Sequence, residues 1–156
     1  MPVDTSALAR ELLAAYTAGS PIATPPSARD AGFDLPAAYA VEAELVRLRR
    51  AAGRTTVGRK VGFANKAMWR LLKLDTMVWA HMYDDTVRHA PGGDASLALG
   101  FRHAPRIEPE IVFKLKAPLT AGTSYAATAL AAVEWLAVGG SAINDTAGWP
   151  GGWSWT

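Results

Sequence analysis

The sequence predicts an α+β fold, and three features predict it. Two capped amphipathic helices occupy the first third, segments rich in β-branched residues and glycine follow, and strands and helices do not alternate strictly as a doubly wound sheet would require. The 156 residues are sized for one domain with a buried core, so residues 1–156 are read as a single domain.

Asp4, Thr5 or Ser6 can cap a first helix that carries Leu8, Leu12, Leu13 and Tyr16, and Gly19 is placed to end it. Residues 20–32 hold three prolines and read as a connecting loop. Asp34 as N-cap, Pro36 in the first turn, Val41, Leu45 and Leu48 at helical spacing, and Gly53 beyond the last turn define a second helix. Its Arg47, Arg49 and Arg50 form a solvated C-terminal face that suits the helix dipole. Residues 55–63 read as a strand, Asn65 as the cap of a short helix through Leu72, and residues 78–87 as a second strand. Next comes a strand over residues 106–115, and then an alanine-rich helix over residues 124–138 ended by Gly139 and Gly140. Residues 148–156, with three tryptophans, three glycines and a proline, form an atypical tail too short for a core element.

Composition narrows the function classes. Sixteen Lys and Arg against fourteen Asp and Glu give a net charge of +2, with no basic concentration of the kind nucleic acid requires. With no cysteine, disulfides, thiolate metal sites and cysteine nucleophiles are excluded. No apolar run approaches the ~18 residues of a membrane-spanning helix, and the N-terminus lacks a signal-like segment, so a cytoplasmic protein is expected.

The chemistry concentrates on the strand over residues 106–115. Alternation puts Glu108 and Glu110 on one face and Ile107, Ile111, Phe113 and Leu115 on the other. Two like charges one pleat apart repel, so a proton, a Lys or Arg, or a hard divalent metal has to neutralise them. Lys60 lies between Gly58 and Gly62, where the backbone can come close to another strand or a ligand. It is either a surface lysine or, pointed into a pocket beside the two glutamates, a group for acid-base work. His81, His89 and His103 lack metal-ligand spacing. Trp69 and Trp79 read as core or interface aromatics, Asp84-Asp85 as a turn, and Ser141, Asn144 and Asp145 as loop residues.

Taken together, residues 38–42 (Ala-Tyr-Ala-Val-Glu), 57–63 (Val-Gly-Arg-Lys-Val-Gly-Phe), 79–87 (Trp-Ala-His-Met-Tyr-Asp-Asp-Thr-Val) and 106–111 (Arg-Ile-Glu-Pro-Glu-Ile) resemble the 2-keto-4-pentenoate hydratase and 4-oxalocrotonate decarboxylase family of the fumarylacetoacetate hydrolase-like superfamily. The resemblance implies N-terminal helices packed on part of a mixed β-roll, and a site for Mg²⁺ or Mn²⁺ that chelates a small unsaturated 2-keto acid. It implies Glu108 and Glu110 as metal ligands and Lys60 as the proton-handling or substrate-orienting residue. The implied activity is a lyase: hydration of 2-hydroxypenta-2,4-dienoate in aromatic meta-cleavage catabolism. The alternatives are decarboxylation of a 4-oxalocrotonate-type substrate, or a truncated non-catalytic paralogue. A homo-oligomer, or association with a full-length relative, is the implied assembly. The chain departs from the family pattern in three places. Met77-Val78-Trp79-Ala80 stands where many relatives have Pro-Asp-Phe-Gly, Ala142 stands where a third acidic ligand is expected, and relatives continue into a further region that completes the roll. Glu134 and Asp145 are the nearby acids, though neither matches the pattern. Weak metal binding and little activity of this chain alone are therefore expected.

Overall fold

The computed structural model describes residues 3–72, 75–98 and 105–144. In these, α1 (Thr5–Ala18), α2 (Pro26–Arg29), α3 (Leu35–Ala51), β1 (Thr56–Gly62), α4 (Lys66–Leu72), β2 (Val78–Tyr83), β3 (Pro105–Leu115), α5 (Ala126–Ala131) and β4 (Val133–Asn144) follow in chain order. β1 pairs antiparallel with β2 and β3 with β4, giving two two-stranded sheets with helices alongside, an α+β arrangement. No helix among the described residues is long and apolar enough to cross a membrane.

The helical caps fall where the sequence puts them. Asp4 accepts from Ala7 N–H at 2.9 Å and Gly19 ends α1 at φ 64°, a left-handed geometry that costs glycine little. Asp34 accepts from Ala37 N–H at 2.9 Å to start α3, and Asn65 caps α4 through Ala67 N–H at 2.9 Å. Leu8 and Ala9 of α1 bury against Val41 of α3, with Leu12, Phe33, Leu45 and Leu48 closing round them. Burying this apolar stripe stabilises helices that would be marginal alone.

α3 in turn fixes β2. Glu42 Oε1 accepts the His81 backbone N–H at 3.0 Å and lies 2.8 Å from His81 Nδ1, while the Tyr39 and Trp79 rings meet at 5.2 Å. Arg49 departs from its expected solvated position. Its guanidinium lies 4.2 Å from the Tyr83 ring centroid and 2.6 Å from Asp85 Oδ1, because β2 brings an aromatic face and a turn carboxylate to the end of α3. Arg47 remains exposed and pairs with Glu44 at 2.7 Å.

Three expected boundaries shift. β2 stops at Tyr83, because Thr86 Oγ1 donates to Tyr83 O at 3.0 Å and turns the chain at Asp84-Asp85. The loop over residues 20–32 contains the short helix α2, started by Pro26 at its first position. The alanine-rich helix is the largest correction: α5 covers only Ala126–Ala131, and β4 runs from Val133 through Gly139 and Gly140 to Asn144. Val133, Trp135 and Val138 favour strand, and pairing along the whole of β3 outweighs the helical preference of the alanines. Residues 148–156 with their tryptophans, together with His103 and Asp145, lie outside the described residues.

Candidate acid-pair site

The site is built from one residue of β1, two of β3 and one of β4. Along β3 the pleat leaves Glu108 and Glu110 half-buried on one face, while Ile107 and Ile111 on the other are 80% and 59% exposed. In the antiparallel register Glu108 stands opposite Ser141 and Glu110 opposite Gly139, so those β4 positions share the acids' face. A Cβ built on Gly139 would lie 2.8 Å from Val112 Cγ2, so the Val112 side chain fills the space there and the backbone accepts no side chain without displacement.

Lys60 joins the two sheets. It stands opposite Ala80 in the β1–β2 pair, and its Nζ donates to Glu108 Oε2 at 3.1 Å and to Glu110 Oε1. Ser141 Oγ donates to the same two oxygens, at 3.4 Å and 3.2 Å. An ammonium, a hydroxyl and two carboxylate oxygens therefore converge on one point. Partial burial lowers the Lys60 pKa, but the hydrogen bonds and charges of Glu110 and Glu108 outweigh it and hold the ammonium above its ordinary value. At neutral pH the group is a cation. The close approach at Gly58 is made by Met82, whose Cε would lie 3.0 Å from a built Cβ.

The other candidates stand elsewhere. His81 is committed to Glu42, His89 is exposed, and Glu134 pairs with Lys114 at 3.0 Å near the opposite end of β3. Val78, which stands where the family pattern has an acid, is buried in the core. Ala142 pairs with Ile107, so the β4 residue opposite Glu108 is Ser141. Reading residue 141 as a loop residue hid it; strand alternation from Val138 would have exposed it. Among the described residues no group of three or more His, Cys, Asp or Glu side chains could hold a metal ion. The oxygens that converge are those of two glutamates and one serine.

No protein-family model matches the chain. It is 31% identical over 112 residues to the 2-hydroxyhexa-2,4-dienoate hydratase of Comamonas testosteroni, covering 69% of this chain and 42% of that protein. To the 2-keto-4-pentenoate hydratase of Paraburkholderia xenovorans it is 30% identical over 151 residues, covering 92% of this chain and 54% of that one. Its fold is similar to that of 4-oxalocrotonate decarboxylase from Pseudomonas putida G7, complexed with magnesium and adipate. That match has a TM-score of 0.77 at 22% identity, over 90% of this chain and 52% of the other. The chain spans about half, or less, of the length of these relatives. In sequence the chain is thus similar to hydratases of the 2-keto-4-pentenoate type, and in fold to 4-oxalocrotonate decarboxylase.

Proposed function

We propose that the chain carries the cation site of a hydro-lyase that adds water to 2-hydroxypenta-2,4-dienoate or a close analogue, with Glu108 and Glu110 as ligands for Mg²⁺ or Mn²⁺ and Lys60 as the proton-handling or substrate-orienting residue. The observation that supports this most is the convergence of Lys60 Nζ on Glu108 Oε2 and Glu110 Oε1 in a chain similar to these hydratases. A point that already holds an ammonium between two carboxylates is one where positive charge is favoured.

The donor set fits a hard divalent ion, since all the converging groups are oxygens and Mg²⁺ is commonly held by one or two carboxylates, with water and substrate completing its shell. A bound ion would supply Lewis-acid stabilisation of the negative charge developing on the substrate oxygens. The chain's own residues handle the protons. Hydration moves the enol proton to C5 and adds the hydroxyl of water to C4 and its proton to C3. Lys60 Nζ, released from the glutamates, is a cation able to hold the substrate carboxylate or to deliver one of those protons. Its root on β1, paired with β2 and braced by α3, fixes the direction of that delivery.

The fold similarity to 4-oxalocrotonate decarboxylase favours a second reaction at the same groups, loss of CO₂ from a 2-oxo-3-enedioate. Assays with both substrates in saturating Mn²⁺ decide between them. Hydration predicts slow, metal-dependent loss of dienoate absorbance without CO₂ release, abolished in Lys60→Ala. Turnover that survives both chelation and Lys60→Ala would contradict the proposal.

A further inference from the structure

The geometry points to Ser141 Oγ as a third protein donor to the cation, alongside Glu108 and Glu110; this inference rests on the metal reading above. Three observations carry it. Ser141 is the residue of β4 opposite Glu108, which puts it on the acids' face. Its Oγ lies 3.4 Å from Glu108 Oε2 and 3.2 Å from Glu110 Oε1, the two oxygens that also hold Lys60 Nζ. Gly139, two residues before it and opposite Glu110, adds no side chain of its own beside the acids, the space over it being taken by Val112.

A hydroxyl is both donor and acceptor. With Lys60 on the carboxylates, the Ser141 hydroxyl donates a hydrogen bond to them; were a divalent ion held there, the same oxygen could offer it a lone pair. Because the hydroxyl is neutral, the protein would contribute two negative charges and three oxygens, and water and an oxygen-rich substrate would supply the rest of the ion's ligands. Ser141 thereby sets both the affinity of the site and the number of positions open to a chelating keto acid.

The absence of native cysteine makes the test specific. Ser141→Cys places the only thiol of the protein at the site, and thiolates bind soft ions such as Cd²⁺ with an ultraviolet charge-transfer band. Cd²⁺ is expected to produce that band in Ser141→Cys, and not in Ser141→Cys combined with Glu108→Gln and Glu110→Gln. Saturable Cd²⁺ binding to Ser141→Cys without the band would overturn the role of Ser141 while leaving the acid-pair site intact. Mn²⁺ binding to the unmodified chain that is absent, or that is unchanged by the double glutamine variant, would overturn both. If the cysteine variant does not fold, Ser141→Ala and Ser141→Thr serve. Mn²⁺ affinity read by electron paramagnetic resonance should fall about tenfold in Ser141→Ala and be retained in Ser141→Thr; equal affinity in Ser141→Ala and the parent chain overturns the inference.

Discussion

Lys60 is the residue on which the site turns. Its ammonium pairs with both Glu108 and Glu110, so any incoming cation has to displace it. Lys60→Met should therefore tighten Mn²⁺ binding by about fivefold, the equivalent of the ~1 kcal/mol that a partly exposed ion pair contributes, even as it removes turnover; calorimetric titration of the two proteins checks this. The pH dependence follows from the raised pKa of Lys60. A group whose pKa is higher in the folded state contributes stability that is fully present below its unfolded value, about 10.4 for lysine, and is lost as pH rises through the folded value. Urea midpoints of the parent chain and Lys60→Met should accordingly converge in that alkaline range. The two glutamates were legible from alternation alone. That Lys60 meets them was expected from its flanking glycines and the family resemblance and not from spacing, because forty-eight residues separate it from Glu108 and only the packing of two sheets joins them. Ser141 was hidden for a different reason: the alanines before it read as helix.

At the scale of elements, α1, α3, β1 and β3 follow from local chemistry, since caps, periodicity and β-branched runs all agree. β4 does not, because its strand state depends on a partner strand distant in sequence, from Leu115↔Val133 out to Pro105↔Asn144. The tight approach of Gly139 to Val112 makes that pairing testable. Gly139→Ala should destabilise by about 1 kcal/mol through crowding against Val112 Cγ2, and Val112→Ala in the same chain should restore part of the loss. Thermal unfolding of both variants measures it. On the helical side, Asp34→Ala removes the N-cap of α3 and should cost about 1 kcal/mol in urea denaturation. α3 carries Tyr39 and Glu42, which hold β2 and through it the strand of Lys60, so loosening that helix should also weaken Mn²⁺ binding.

Across the whole molecule, the buried core lies around α1, α3 and β2, while the β3–β4 pair presents Ile107, Ile111, Phe113, Leu136 and Val138 as exposed apolar residues. The α+β class was legible because the helix and strand patterns segregate along the chain. Exposed apolar surface of this kind favours association, so the chain should self-associate at micromolar concentration, and Val138→Lys with Ile111→Lys should shift it toward monomer in sedimentation velocity. The acid pair on β3 is proposed as a cation site and not simply as a salt-bridged strand face. Isothermal titration with Mn²⁺ tests it most directly, comparing the parent chain with Glu108→Gln/Glu110→Gln. Saturable binding to the first and none to the second is expected. Equal heats from both proteins would contradict it.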